Sequence, residues 1–213
     1  MYVVLMAMLA LNISTEVLNG FSIVEESLNR TTSNSSKENE SIYSDFLEQM
    51  KTNPEKVKAW FDKATMVKQM SDSLYNYAQS LKEQIVKEAD GDDADLNNIV
   101  GKDNLEAAAH VMLAPGTGQG KKLYDAINSY RERILKMVND DHQRQLIAEN
   151  LSTKIPKKGN ALGKNWQEYM FESMPVAAAV TLLAKLQSDI RYAEGEVLHT
   201  LVANIDIKDI RVN

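Results

Sequence analysis

The first eleven residues, Met1 to Leu11, restrict this chain most, because they form an uninterrupted apolar run. The sequence MYVVLMAMLAL has no charged side chain, and Asn12 ends it. A bilayer-spanning helix needs about 20 mostly apolar residues, and a run of roughly 10–14 is more typical of a buried helix or of the apolar region of a signal peptide. A signal peptide also needs a basic start and a small-residue cleavage site, and this chain has neither around the run.

Three interpretations of Met1 to Leu11 remain: the last half of a transmembrane helix that begins upstream, a buried helix of a soluble domain, or a signal peptide. The first is favoured, because polar residues follow directly after Asn12. Between Val17 and Leu28 the apolar residues keep a spacing of three and four. We therefore expect one helix to continue from the membrane past Phe21 without a break. A proline at Val17 is then expected to uncouple the membrane part from the rest.

Composition favours long helices and few strands. The 213 residues include only 9 glycines and 4 prolines, which leaves few signals for turns. The 24 basic residues against 30 acidic ones make the chain mildly acidic, which argues against nucleic acid as a partner. Because there is no cysteine, disulfide bonds, thiolate metal sites and cysteine nucleophiles are excluded within these residues.

The clearest helix is predicted to begin at Asn53 and Pro54, since proline is well suited to the first helical position. Apolar or small residues then recur at spacings of three and four over eight turns. A face this broad is typical of a helix that packs in a bundle. Its members are Val57, Phe61, Ala64, Val67, Ser71, Leu74, Ala78, Leu81 and Ile85.

Two segments depart from this helical pattern. Asn29 to Ser41 has no apolar side chain, and it predicts a surface loop or a solvated, poorly packed helix. At the other end, the apolar spacing shortens towards two within Asn204 to Asn213. That period is typical of a strand, so we expect residues 204–213 to form a strand or extended linker that leads to a further domain.

No catalytic, cofactor or metal site is predicted, and we expect the chain not to be an enzyme. The acidic segment from Glu88 to Asp95 lacks the EF-hand register, and the loop from Pro115 to Lys122 lacks the P-loop pattern. Three histidines occupy three different segments without a second ligand at metal-binding spacing. They are His110, His142 and His199, which we expect on helix surfaces or at helix ends.

Several segments resemble the N-terminal part of the GldM/PorM proteins of the type IX secretion and gliding machinery of Bacteroidetes. The first and most specific is MYVVLMAMLALNISTEVLNGF at the start. Tyr75-Asn76-Tyr77 with Leu81 and Asn128-Ser129-Tyr130-Arg131-Glu132 support it. A third block comprises Trp166, Tyr169, Phe171, Pro175, Leu186, Asp189-Ile190, Glu194 and Glu196-Val197-Leu198.

The resemblance implies an all-α fold in which the end of a transmembrane helix leads into a periplasmic helical bundle. Family members are single-pass proteins of the inner membrane, act as homodimers, and continue into β-sandwich domains. Their transmembrane helices lie inside a ring of the small membrane protein GldL/PorL, and the motor is thought to use the proton-motive force. Later domains carry the motion to a GldK/GldN-type periplasmic ring.

The resemblance also implies a division of the chain and a set of membrane contacts. Residues 1–20 would be the transmembrane helix and its exit, and residues 21–203 the helical periplasmic domain. The expected contacts with partner helices in the membrane are Tyr2, Met6, Ala7, Leu9 and Ala10, of which the two alanines permit close helix packing. The alternatives are a membrane-tethered periplasmic sensor domain for a small ligand, which would need a polar pocket between helices, and a plain structural spacer.

Overall fold

The computed structural model describes residues 12–212, and within this range all regular secondary structure is helical. The predicted all-α bundle is thereby confirmed at the level of its helices. Short 3-10 turns lie at Gly91–Asp93 and Gly159–Ala161. The α-helices are α1 (Thr15–Thr52), α2 (Pro54–Asp90), α3 (Ala107–Leu113), α4 (Gly120–Leu135), α5 (Asp141–Asn150), α6 (Trp166–Phe171) and α7 (Val176–Val212).

Helix α2 matches its prediction closely. It begins at Pro54, directly after Asn53, and ends at Asp90 within the acidic segment. The predicted apolar face is buried, apart from Phe61, which is partly exposed. Burial of such a face supplies most of the stability of a helix in a protein, because helix propensity alone is weak. The buried members are Val57, Ala64, Val67, Ser71, Leu74, Ala78, Leu81 and Ile85.

The polar segment Asn29 to Ser41 is helical throughout and forms the middle of α1. The loop interpretation is therefore wrong, and the segment is not fully solvated either, since Thr32 and Asn39 are buried. No glycine or proline interrupts it, so the helix propagates at one hydrogen bond per added residue. Contacts of Asn39 with another helix, described below, hold the segment in place.

Helix α1 has its own start at Thr15, and Asn12 to Ser14 are not helical. The Ser14 hydroxyl oxygen accepts a hydrogen bond of 3.2 Å from the backbone N–H of Val17. Serine is a preferred N-cap because this bond satisfies an N–H that has no partner inside the helix. The expectation of an unbroken helix from Met1 past Phe21 is wrong at this position.

The strand or linker predicted for residues 204–213 is also wrong over residues 204–212, because α7 continues as a helix to Val212. Leu201 and Ile205 are both buried, and their spacing of four continues the helical face of Val197 and Leu198. The shorter spacing of apolar residues after Asn204 does not end the helix, because its buried face continues to Ile205. The division of the chain at residues 20 and 203 and the following β-sandwich domain stay predictions.

The chain forms two compact units. The described part of the first comprises residues 12–28, Gln79–Leu123 and Lys154–Lys185. The second comprises Asn29–Ala78, Tyr124–Thr153 and residues 186–212.

In the first unit, the start of α7 is fixed by a loop. The N–H groups of Val176 and Ala177 donate to the carbonyls of Asn104 and Lys102, each at 3.1 Å. These bonds satisfy donors that lack partners at a helix start.

The Thr181 hydroxyl lies 3.2 Å from the carbonyl oxygen of Phe21, which places α1 against α7 within this unit.

A buried lysine lies between α2 and α1 in the first unit. Lys82 has 3% of its surface exposed, and its Nζ is 3.9 Å from Oε1 of Glu25. Burial lowers the pKa of Lys82, and the negative charge of Glu25 opposes that shift. This pair provides a polar contact between the two helices at a cost in desolvation.

Among residues 12–212, no helix combines the length and the apolar character that crossing a bilayer requires. The apolar run Met1 to Leu11 lies outside the described residues.

The capped start of α1 changes what a proline at Val17 should do. In the first turn it removes only the bond to Ser14, so we expect Val17→Pro to cost about 1 kcal/mol of unfolding free energy. Ile23 is exposed inside the helix, and Ile23→Pro should cost about 3 kcal/mol or more, because proline removes an interior hydrogen bond and clashes with the preceding turn. Urea unfolding followed by circular dichroism measures both. Equal losses would contradict a helix start at Thr15.

Candidate functional site: a buried charge network

The five residues predicted to contact partner helices lie outside the described range, so their role stays a prediction: Tyr2, Met6, Ala7, Leu9 and Ala10. The histidines lie within it. His110 and His199 are more than half exposed and approach Glu88 and Glu38 at 2.7 and 3.4 Å. His142 is in the first turn of α5. Residues 12–212 contain no group of histidine and acidic side chains arranged to hold a metal ion.

A carboxylate on α7 is the centre of the second unit. Glu194 has only 1% of its surface exposed. Asn39 Nδ2 and Arg191 Nη1 donate to its Oε1 at 3.1 and 3.0 Å, and the Tyr43 hydroxyl donates to its Oε2 at 2.6 Å. A carboxylate away from water needs such donors to remain stable. Two of the three come from α1, so Glu194 joins α1 to α7.

The guanidinium of Arg191 connects this carboxylate to α2. Its Nη1 also donates to Oδ1 of Asp72 at 2.8 Å, and the guanidinium carbon lies 4.2 Å from the ring centroid of Tyr75. Burial by itself lowers the pKa of Arg191, but the charge of Glu194 and the hydrogen bonds to Asp72 and Glu194 outweigh it, and the pKa is raised. Arg191 is therefore cationic in the folded unit and offsets the buried negative charge.

A tyrosine attaches α4 to the same region. The Tyr130 hydroxyl is 2.7 Å from Ser71 Oγ and donates to the carbonyl of Ile190 at 3.3 Å. With Ser71 as the donor of the first bond, each hydroxyl hydrogen is used once. This explains why a serine occupies the apolar face of α2. We call Asn39, Tyr43, Ser71, Asp72, Tyr75, Tyr130, Arg191 and Glu194 the buried charge network.

Lys68 closes the network on its exposed side. Its Nζ is 2.6 Å from Glu40 Oε1, 3.4 Å from Asp72 Oδ2, and 5.0 Å from the ring centroid of Tyr43. Burial lowers the pKa of Lys68, and its contacts with Glu40 and Asp72 raise it by more. Because these groups are partly exposed, water and salt weaken the contribution of this edge to stability.

Two tyrosines of the network resist ionisation. Burial raises the pKa of Tyr43 above its ordinary value of 10.0, and the negative charge of Glu194 raises it further. Burial also raises the pKa of Tyr130, although the hydrogen bond with Ser71 opposes the shift. Both hydroxyls stay protonated in the folded unit and act as hydrogen-bond donors at every physiological pH.

A glycine makes room for the contact between α1 and α7. A Cβ atom added to Gly195 would lie 2.9 Å from Oδ1 of Asn39, closer than ordinary carbon contacts allow. The amide of Asn39 also donates to the carbonyl of Arg191 at 3.1 Å. Asn39 is therefore fixed on both sides, by the surface of α7 beneath it and by the carboxylate of Glu194.

The network can hold helices in register, and nothing in its geometry points to catalysis. Hydrogen bonds to charged groups contribute about 1.5–3 kcal/mol each, and loss of one partner from a buried pair costs more than the pair itself gains. A polar helix segment has no apolar side chains that fix its register along the neighbouring helix. In α1 that selection comes from Asn39 and Tyr43, which reach one carboxylate on α7.

Sequence reasoning did not find this network, although it singled out some of its members. The spacing puts Ser71 on the apolar face of α2, and Asn39 belongs to the segment predicted as a loop or solvated helix. Tyr75, Tyr130 and Glu194 are among the residues that carry the family resemblance. The signal that could have revealed the network is Glu194, which lies among the apolar residues of α7, because acidic side chains are rarely buried unless they are paired.

A cavity of about 500 Å³ lies in the first unit, between the end of α2 and α3. Its polar lining includes the paired Glu88 and His110 together with Asn104 and Glu106. Alanines, Leu113 and a proline form the rest. Its volume is in the range of small-ligand sites, which is the feature that a sensor domain requires.

The described residues thus form a helical domain whose second unit is organised by internal charge pairing. Comparison with known protein families matches residues 16–204 to the GldM N-terminal domain. Because this match covers most of the chain, the chain belongs to the GldM/PorM family, whose context is type IX secretion and gliding. No curated protein matches the chain significantly.

The fit between Asn39 and Gly195 predicts strong coupling between the two positions. We expect Asn39→Ala to cost about 1.5–3 kcal/mol, because it removes a bond to a buried carboxylate. Gly195→Ala should also destabilise, although alanine is favoured by about 1 kcal/mol in a helix interior. In the Asn39→Ala background the new methyl group has space, and Gly195→Ala should become neutral or stabilising. Urea unfolding of the four proteins gives the coupling energy, and simple additivity would contradict the contact.

The protonated tyrosines predict a loss of stability in alkali. A pKa raised in the folded state stabilises fully below the ordinary tyrosine value, and this stabilisation decreases above about pH 10, where the unfolded chain releases the proton. Each such tyrosine adds a slope of about 1.4 kcal/mol per pH unit. Tyr43→Phe should make the fall in unfolding free energy above pH 10 shallower by about that amount. An unchanged slope would exclude Tyr43 as a source.

Proposed function

We propose that the chain is a non-enzymatic component of an inner-membrane motor that is driven by the proton-motive force and transmits motion across the periplasm for type IX secretion and gliding. Membership of the GldM/PorM family carries this proposal, because the match at residues 16–204 extends over most of the chain. In this proposal Met1 to Leu11 belong to the single transmembrane helix, and residues 21–203 lie in the periplasm.

The proposed partners follow from the same family. The chain acts as a homodimer, its transmembrane helices are enclosed by a ring of a GldL/PorL-like small membrane protein, and later domains reach a GldK/GldN-like periplasmic ring. The residues proposed to face the membrane ring are Tyr2, Met6, Ala7, Leu9 and Ala10. The small alanines among bulky neighbours suit helices that pack closely inside a bilayer.

The architecture of α1 supports a mechanical role. Its 38 residues extend about 57 Å at 1.5 Å per residue, as one helix from Thr15 to Thr52. Asn39 and Tyr43 bind Glu194, so sliding α1 along α7 would leave a buried carboxylate without two of its donors. That penalty would make α1 and α7 move together within the second unit, as a part that transmits force requires.

The alternative is a membrane-tethered sensor domain for a small ligand. The cavity beside Glu88 and His110 is the observation that favours it, since polar groups converge on an apolar lining there. The side chains of His110 and Glu88 are 64% and 42% exposed and neither belongs to the core, so Glu88→Ala with His110→Ala can be made without disturbing it. A motor component should secrete normally with this double substitution, whereas a sensor should lose its response.

Native mass spectrometry of the full-length protein, purified from its own membranes in mild detergent, tests the proposal directly. We expect two copies of the protein bound to a larger number of copies of a small integral membrane protein. The Glu88→Ala, His110→Ala variant should give the same assembly and the same secretion. A dimer without such a ring, or one bound to a signalling protein, would overturn the motor proposal in favour of the sensor.

A further inference from the structure

A lysine-rich loop precedes α6 in the first unit. Residues 154–164, here called the lysine loop, contain four lysines and no acidic residue. The rest of the chain has the opposite balance, with 20 of the 24 basic residues against all 30 acidic ones. The local charge is therefore +4 in a chain whose net charge is −6. The lysines are Lys154, Lys157, Lys158 and Lys164.

The backbone of the lysine loop presents one large apolar side chain to solvent. Gly159 begins the 3-10 turn and Gly163 follows it, with φ angles of 71° and 77°, which glycine adopts without strain. The N–H of Leu162 donates to the carbonyl of Gly159 at 3.1 Å, and Ala161, the last residue of the turn, is buried. Leu162 is 75% exposed as a result. Its position is set by the turn before any partner binds, which lowers the entropic cost of binding.

The lysines of the loop differ in exposure and in their contacts. Lys157 and Lys158 are exposed, whereas Lys164 forms an ion pair of 2.8 Å with Glu172. An exposed leucine in the same short loop as two exposed lysines matches the surface of an anionic bilayer, where phosphate groups lie directly above the apolar chains. The same unit contains residues 12–28, where the chain continues from the apolar run Met1 to Leu11.

We propose that the lysine loop docks on the anionic phospholipid surface of the membrane that holds Met1 to Leu11. Lys157 and Lys158 bind lipid phosphates, and Leu162 inserts its side chain at the level of the head groups. This proposal rests on the membrane anchoring in the proposed function, and it adds a second contact between the first unit and the bilayer. The acidic remainder of the chain is repelled from the same surface, which gives the unit a preferred orientation.

The strength of this contact suits an anchored protein. Each lysine close to anionic lipid favours the docked state about 5.5-fold, so the two together contribute about 30-fold. A contact of this size is too weak to recruit a free protein. It becomes effective when an anchor in the same chain holds the loop at a high local concentration next to the membrane.

A single fluorescent label on the full-length protein tests the docking. Residues 1–213 have no cysteine, so in a background without cysteine elsewhere Leu162→Cys provides one site for an environment-sensitive dye. Leu47→Cys on α1, also exposed and apolar, is the matched control. The chains are reconstituted with vesicles of phosphatidylcholine alone or with added phosphatidylglycerol. We expect the dye at position 162 to report an apolar environment only with phosphatidylglycerol, and the dye at position 47 to be indifferent to the lipid.

Charge substitution and flotation separate the outcomes. The double substitution Lys157→Gln, Lys158→Gln should lower the ratio of docked to undocked loop, read from the dye at position 162, about 30-fold. High salt should lower the same ratio, because it screens the lysine charges. A chain that floats with both vesicle types but shows the same emission in each overturns the docking and leaves the anchoring intact. A chain that floats with neither overturns the proposed anchoring itself. If the double variant lost secretion while the dye emission did not depend on the lipid, the loop would bind an acidic protein, and the proposed docking on lipid would be overturned.

Discussion

The second unit depends on one carboxylate that water does not reach. Glu194 is stable in this position only while Asn39, Tyr43 and Arg191 donate to it, and these donors belong to different parts of the chain. Arg191 in turn needs Asp72 and the ring of Tyr75. Removal of one member leaves a buried charge uncompensated, which costs more than an ordinary hydrogen bond. Three long helices are therefore tied to one another by a set of contacts that succeeds or fails together.

This arrangement gives a physical meaning to the unusual composition of α1. A helix whose middle is rich in serine and asparagine buries little apolar surface, so apolar packing alone would hold it weakly. Polar contacts compensate because they are directional: Asn39 fits over Gly195 and reaches Glu194, and a shift by one residue would lose both. For a protein proposed to transmit motion, resistance to sliding is more useful than additional buried area.

The two units differ in chemistry. The second unit uses its polar side chains to satisfy one another, whereas the first unit presents an open cavity beside Glu88 and a lysine loop with an exposed leucine. Internal pairing suits a structural part, and exposed groups suit recognition. Under the proposed function, the first unit is then the part of the chain through which the membrane is recognised, with Lys157 and Lys158 as its charged contacts.

The sequence by itself determined the helical class, the start and the buried face of α2, and the family. These features depend on local signals, namely Pro54, the spacing from Val57 to Ile85, and residues specific to the family. Only the tertiary structure decided that Asn29 to Ser41 is helical, that α7 reaches Val212, and that Glu194 is buried. The physical reason is that a polar side chain carries no periodic signal of its own: whether it faces water or a partner depends on residues more than a hundred positions away.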